Sequence, residues 1–560
     1  MTSVMKIDFK HCLLVILTMC LFCPVSAQEI NITPLPKQVK APGGEYNLFG
    51  SIVVGVNKAG KDGRAEAERF VNELKASTTL DLSLGKNKKA QIRVVHSKKV
   101  TNPEGYTLHI GNDGIDITAS TQVGFFYAFR SLLKLMPEGV ALGVKSSALK
   151  YSLPCLDVVD EPRFHYRGFM LDVSRHFFTT DDIKKILRLM SLYKMNYFHW
   201  HLTDDQGWRV EIKKYPKLTT VGATRHNSWN TDLNTGSYWT NQTYGPYFYT
   251  QDEIRDVVAY AAGLHITVIP EIEMPGHFAA AVTAYPEYSC DPAGKHEVWV
   301  TGGISTDVLN VADPAAVQFA KDILEELIPL FPAPVFHIGG DETPTTAWKQ
   351  NALCKEVYEK EQMSDFSQLQ SRFTREIAAF VRSKGKRIAV WNEAITAKGA
   401  ATQMIKETGA TVFCWNPCQK GASMAADLGL NCIITNWGSD GCYYINRRAN
   451  EADFGAGRGG DNLKKMYDYL PVPADVPQEK QAFYQGVQAT FWCEHVSNME
   501  HLEHLALPRL MGVAEAGWTP QQAKNFDNFV WRMKKDAPML RLAGYRYHPQ
   551  YIDYEGAEQK

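Results

Sequence analysis

Two adjacent acids, Asp341 and Glu342, stand behind a glycine pair in His337-Ile338-Gly339-Gly340-Asp341-Glu342. Alone, such a pair suits a solvated loop or a helix cap as well as a catalytic site. Its company changes the reading. Comparable clusters are Asp172-Val173-Ser174-Arg175, His199-Trp200-His201-Leu202-Thr203-Asp204-Asp205, Glu271-Ile272-Glu273-Met274-Pro275-Gly276-His277, Trp391-Asn392-Glu393, Trp415 and Trp492-Cys493-Glu494. Carboxylates beside arginine, histidine and several indoles suit acid–base chemistry on a sugar. One acid protonates a leaving oxygen while aromatic faces cover the apolar side of a pyranose. Taken singly, each Trp also fits core packing, and Asp204-Asp205 also fits a turn.

Such clusters need a scaffold that brings one end of many strands together. From Arg167 onward, short β-rich runs alternate with helices. The runs are Gly168–Val173, Met195–His201, His265–Glu271, Val335–Gly339, Arg387–Trp391, Thr411–Trp415, Asn431–Thr435 and Gly486–Trp492. The clearest helices are Asp181–Tyr193, Asp252–Ala262, Ala315–Leu330, Phe366–Ser383 and His501–Gly512. Eight such runs predict an α/β fold, a (β/α)8 TIM barrel, whose chemistry belongs at the C-terminal strand ends. The polar clusters fall at those ends.

Residues 28–160 read as a small α+β domain, an antiparallel sheet with helices. Ser51–Val56 and Gln91–Val95 are expected strands, Tyr106–Ile110 and Gly114–Thr118 a hairpin, and Ala65–Lys75 and Phe125–Leu135 helices. Glu161-Pro162 marks the boundary, which places the barrel over residues 161–545 and a tail over 546–560.

The 560 residues carry 60 Lys+Arg against 61 Asp+Glu, a balance that removes the electrostatic case for a nucleic-acid partner. Lys6 and Lys10 precede the apolar run Cys12–Cys23, Pro24 and the small-residue site Val25-Ser26-Ala27. This pattern predicts a signal peptide over residues 1–27 and export to the periplasm or beyond. The run is too short to span a membrane, and no later segment qualifies. Cleavage would leave eight of the 11 Cys in a compartment that permits disulfides. Cys414, Cys418, Cys432 and Cys442 form a local cluster that also suits zinc, but without paired C-x-x-C knuckles, so structural cysteines are the better reading.

The stretches RGFMLDVSRHF, NYFHWHLTDDQGWR, PEIEMPGH, HIGGDE and GVQATFWCEH resemble glycoside hydrolase family 20, the β-N-acetylhexosaminidases. GYTLHI and GIDITASTQVGFFYAFRSLLKL resemble that family's accessory domain, and the likeness extends over about residues 30–545. The resemblance implies exo-acting, retaining removal of terminal β-linked GlcNAc or GalNAc, with the substrate's own acetamido oxygen as nucleophile and an oxazolinium intermediate. It implies Glu342 as general acid and then base, its pKa raised by a Trp-lined setting. Asp341 would accept from the acetamido N–H, and Tyr444 would donate to the acetamido oxygen. Trp391, Trp415 and Trp492 would wall the pocket, Arg175 would hold the C3 and C4 hydroxyls, and Glu494 the C4 or C6 hydroxyl. His277 and Asp204 would position the acid.

One position departs from the pattern: many members carry Asp where this chain has Asn446, followed by Arg447. A neutral amide with a cation beside it would tolerate 6-sulfated GlcNAc; alternatively, Asn446 binds a C6 or C4 hydroxyl and Arg447 is a solvated loop residue. Three other readings stand beside the exo-enzyme: lacto-N-biosidase-type release of a disaccharide, a non-catalytic glycan-binding protein, and a metal-dependent hydrolase using His199 and His201 with His277 or His337. The expected partner is the glycan substrate. No cofactor or metal is expected, and oligomeric state has no signal in the sequence.

Overall fold

A barrel strand covered on both faces must be apolar throughout, and β1 (Tyr166–Asp172) is buried at every position. It is followed by β2 (Tyr197–His201), β3 (Thr267–Glu271), β4 (Val335–His337), β5 (Arg387–Trp391), β6 (Thr411–Cys414), β7 (Cys432–Ile434) and β8 (Tyr484–Phe491). In this computed structural model the eight strands pair in parallel in chain order, and β8 returns to β1 to close the barrel. Six of the expected runs contain a strand whole, and β1 and β8 begin two residues before theirs. The structure describes residues 30–137, 139–232, 236–447 and 463–548, so the expected signal peptide and nearly all of the tail lie outside the described residues.

Tyr166, Ile269, Ala389, Trp391, Phe413 and Ile433 point inward and fill the barrel as a packed interior. Helices cover the outside, and their starts follow capping chemistry. Thr179 with Asp182 and Thr250 with Glu253 form reciprocal capping boxes ahead of Thr180–Leu192 and Gln251–Gly263. Two helices differ from expectation, both at prolines. The expected helix His501–Gly512 is two, Met499–Ala506 and Arg509–Trp518, because Pro508 supplies no N–H to continue the ladder. The helix expected to reach Leu330 ends at Leu327, and Ile328–Leu330, with Pro329 in its first turn, tightens to a 3-10 turn.

The N-terminal domain is a seven-stranded sheet with two helices on one face. Its order is Gln38–Lys40, Leu156–Asp160, Tyr106–Gly111, Gly114–Ala119, Ile92–His96, Ser51–Lys58 and Asp81–Gly85. The first three pairings are antiparallel, as expected, and the last three are parallel. The parallel half follows from the helix Gly60–Ser77, which crosses over between Ser51–Lys58 and Asp81–Gly85, a connection that parallel neighbours require. Phe70 of that helix stacks on Phe129 of Gln122–Lys134 at 4.5 Å, which locks the helix layer together.

The two domains meet on buried charge. Asp160, the last residue of the N-terminal sheet, accepts from Tyr106 Oη (2.6 Å) and the Lys37 backbone N–H (2.9 Å) on its own side. From the barrel side it receives Trp518 Nε1 (2.8 Å) and Lys194 Nζ (2.9 Å). Removing one partner of a buried ion pair leaves the other uncompensated, which costs about 3–5 kcal/mol. Asp160→Ala is therefore expected to lower stability by about that much, read as a fall in urea midpoint; a change under about 1 kcal/mol would mean that this junction carries no net stability.

Candidate active site

The strand ends deliver the site, and β4 does so through a forced turn. After His337 the chain takes positive φ at Gly339 (63°) and Gly340 (93°). A Cβ on Gly339 would lie 1.7 Å from Glu273 Oε2, so only glycine fits between the ends of β3 and β4. The turn brings Asp341 and Glu342 to the mouth of the barrel. Glu342 itself has φ 48°, as does His277, a conformation that L-residues adopt at a cost of about 1–3 kcal/mol each.

The acids face a cavity of about 800 Å³. Its wall contains every expected site residue except Asp204: Arg175, His277, Asp341, Glu342, Trp391, Trp415, Tyr444, Asn446, Arg447, Trp492 and Glu494. Trp437 and His495 also line it and were not singled out in the sequence. Tyr444 reaches the cavity, its ring parallel to Trp415 at 6.2 Å, whereas its neighbour Tyr443 packs away from it against Tyr469. The Glu342 side chain is 37% exposed, at the rim of the Trp-lined cavity.

Asp204 lies behind the wall and acts through neighbours. His277 Nδ1 is 3.2 Å from Asp204 Oδ1 and 3.0 Å from Asp205 Oδ2, while its Nε2 faces Glu342 Oε2 at 3.5 Å and Asp341 Oδ2 at 3.7 Å. In the sequence Asp205 stands only in the strand-end cluster and a possible turn, with no role in the site. It also accepts from the backbone N–H groups of Ala279 and Ser305, and so ties His277 to the loop that covers it. Its signal was the Asp204-Asp205 doublet, whose members present their carboxylates to the same imidazole.

Arg175 is buried and heavily engaged. It donates Nε to Gln206 Oε1 (2.6 Å) and Nη1 to Asp172 Oδ2 (3.1 Å), pairs through Nη2 with Asp204 (2.9 Å), and lies 3.8 Å from Glu494 Oε1. Its guanidinium lies over the Trp492 ring at 5.1 Å.

Burial would depress the His277 imidazole, but Asp204, Asp205 and Glu342 outweigh it and hold the group well above the usual histidine range. His201, between Asp204 Oδ2 (2.9 Å) and Glu271 Oε2 (2.5 Å), is raised to about 10 against the same burial cost. Burial pushes Asp341 up to about 6, opposed by His277 and assisted by the charges of Glu271 and Glu342. Glu393, a second residue missing from the expected set, is raised to about 8 by burial and by Asp341; it accepts from Trp415 Nε1 at 2.8 Å and so orients that indole. Its signal was its place two residues after Trp391 at the end of β5.

The histidine pair of the metal reading takes another part. His199, His337 and Glu271 do converge, fully buried below the cavity. Yet Glu271 is already bonded to His201, accepts from Trp391 Nε1 (2.7 Å) and lies 2.8 Å from His337 Nδ1, and none of the three converging residues lines the cavity. A catalytic metal needs a position open to substrate, and this group has none. Cys414, Cys418, Cys432 and Cys442 form no convergent ligand group among the described residues.

Three buried acceptors on the cavity wall, Asp341 Oδ1, Asn446 Oδ1 and Glu494 Oε2, have no partner among the described residues. An unsatisfied buried acceptor costs about 1–3 kcal/mol, so the wall is prepared for a ligand rich in O–H and N–H groups.

Residues 164–521 match the model of the glycosyl hydrolase family 20 catalytic domain, and residues 29–161 match that family's domain 2. A beta-hexosaminidase of Porphyromonas gingivalis is 35% identical over 94% of this chain; the chain spans 65% of that relative's length. A beta-hexosaminidase of Akkermansia muciniphila is 32% identical over 76% of this chain and 81% of its own. The GH20 exo beta-N-acetylglucosaminidase of Vibrio harveyi, solved with N-acetylglucosamine, superposes with a TM-score of 0.76 at 28% identity, covering 93% of this chain and 79% of that one. By the family models, the curated relatives and the shared fold, the chain belongs to glycosyl hydrolase family 20.

Proposed function

We propose that the protein is an exo-acting, retaining β-N-acetylhexosaminidase that removes terminal β-linked GlcNAc or GalNAc by substrate-assisted catalysis. The observation that carries this reading is the adjacent pair Asp341 and Glu342 at the mouth of a tryptophan-lined cavity, with unpartnered acceptors on its wall. The Asp341 Oδ1 atom is available to an acetamido N–H, which turns the acetamido oxygen toward the anomeric carbon and offsets the charge of the oxazolinium. Glu342, at the exposed rim and 3.5 Å from His277, is placed to protonate the leaving oxygen and then to activate water. A retained acid pair favours an enzyme over a silent glycan binder.

The leader-like segment supports action outside the cytoplasm.

Glu342→Gln is expected to lower kcat/KM on unactivated glycosides by about 10²–10⁴-fold, and by less on an aryl glycoside whose leaving group needs no proton. Equal losses on both would remove Glu342 from the acid role. Asp341 must be ionised to offset positive charge, and its pKa is about 6. The kcat/KM of the free enzyme is therefore expected to fall as pH drops below about 6. Asp341→Asn should lose about 10²–10³-fold in kcat and also lose that acid limb; an unchanged limb would assign it to another group.

The wall also supports acceptance of 6-sulfated GlcNAc. Asn446 Oδ1 is unpartnered, and the Arg447 guanidinium lies 4.8 Å from the Trp437 ring, with all three residues on the cavity wall. A guanidinium held there offers an anion a charge-assisted hydrogen bond. Asn446→Asp is expected to lower the ratio of sulfated to plain aryl-GlcNAc kcat/KM at least tenfold, a like-charge penalty of about 1.4 kcal/mol or more; an unchanged ratio would end the idea.

A further inference from the structure

Cys290 and Cys354 are 64 positions apart and belong to different catalytic loops. Cys290 follows the short turn Pro286–Tyr288 in the long connection after β3, which also carries His277 and the cavity-lining Gly302 and Gly303. Cys354 lies in the first turn of the helix Ala352–Lys360, in the connection that begins with Asp341 and Glu342.

The two connections are stitched together around these thiols. Asn351 Nδ2 donates to the Cys290 carbonyl at 3.0 Å, while Asn351 Oδ1 caps the helix by accepting from the Cys354 N–H at 3.1 Å. Cys290 Sγ is directed at the carbonyl of Leu309 (4.0 Å), and Cys354 Sγ at Oδ1 of the next residue, Asn310 (3.3 Å). Trp348 Nε1 holds that same Leu309 carbonyl at 3.0 Å. The two sulfurs thus share one corner, against adjacent residues of the same loop.

A second pair shows why proximity alone is insufficient. Cys414 and Cys432 are also neighbours, but they lie on adjacent parallel strands, where Cys432 is opposite Val412 and Cys414 opposite Ile434. Two positions of offset separate their Cα atoms by roughly 8 Å, beyond the ~7 Å that a disulfide can bridge. Cys290 and Cys354 are on irregular chain and a helix end, with no ladder holding them apart.

We infer that Cys290 and Cys354 form a disulfide that clamps the connection bearing His277 to the connection bearing the acid pair. The oxidant is a disulfide-class compound, met on export, and to that extent the inference rests on the export proposed above. Half-buried Cys290 loses its proton to water and attacks the oxidant's disulfide, which releases one oxidant thiolate. Cys354 then gives up its proton, attacks Cys290 Sγ in the mixed disulfide and expels the second thiolate. Two electrons pass to the oxidant, and the two protons end on its thiolates. The bond closes a loop across the site, and by restricting the unfolded chain it raises the unfolding temperature.

The test is direct. The purified, reduced full-length protein is incubated with glutathione disulfide, alkylated under denaturing conditions, digested and analysed by mass spectrometry. A Cys290–Cys354 peptide, two hydrogens lighter than its parts and lost on reduction, is expected, with a rise in Tm on the order of 5 °C. The rise should vanish in Cys290→Ser and persist in Cys155→Ser. Alkylation of both thiols after prolonged oxidation, or a linkage to any other cysteine, would overturn the inference. Because the oxidant is supplied in the tube, that result is independent of whether the chain is exported, which leader cleavage reports separately.

Discussion

A buried carboxylate on the barrel axis, Glu271, organises everything above it. It is fully enclosed, and burial alone would neutralise it, but the surrounding histidines, among them His201 raised to about 10, hold it ionised. From there charge alternates upward: Glu271 to His201, His201 to Asp204, and Asp204 to both His277 and Arg175. The last two reach the cavity wall, one beside the acid pair and the other beside Glu494. Isolated buried charges are costly, and pairing repays that cost only when every member is present and well oriented. The two flanks of the pocket are therefore fixed by one column of side chains rather than by independent contacts.

That column makes the backbone strain of the site affordable. Glu342 and His277 both sit at positive φ, a conformation that persists only where surrounding contacts over-determine it. The contacts are those of the column and its margin: His277 is pinned by Asp204 and Asp205, and the Gly340 N–H donates to Glu273 Oε2 at 3.2 Å. Burial, with Asp341 and Glu271 nearby, drives Glu273 well above the usual carboxylate range. A carboxyl that keeps its proton adds no further negative charge below an acid that must itself ionise.

Much of this was legible in the sequence, for identifiable reasons. Parallel barrel strands are buried on both faces, so β1 to β8 read as near-continuous apolar runs, and polar residues at their ends stand out by contrast. Element ends governed by proline were less legible: Pro508 divides a run whose apolar spacing continues through it. The parallel half of the N-terminal sheet was hidden because strand partnership is a non-local choice, visible only once the helix Gly60–Ser77 is seen to cross over. Asp205 and Glu393 were missed for a related reason. Each is adjacent to a residue already assigned, and only three-dimensional placement shows that Asp205 shares an imidazole with Asp204 and that Glu393 orients Trp415.

The three unpaired acceptors on the cavity wall, Asp341 Oδ1, Asn446 Oδ1 and Glu494 Oε2, bear on selectivity. A wall built to receive hydrogen bonds discriminates against any molecule that lacks a donor opposite them, because the buried oxygens are then stripped of water and left unpaired. Rejection of a donor-poor analogue is therefore a property of the wall itself, set before any bond is broken.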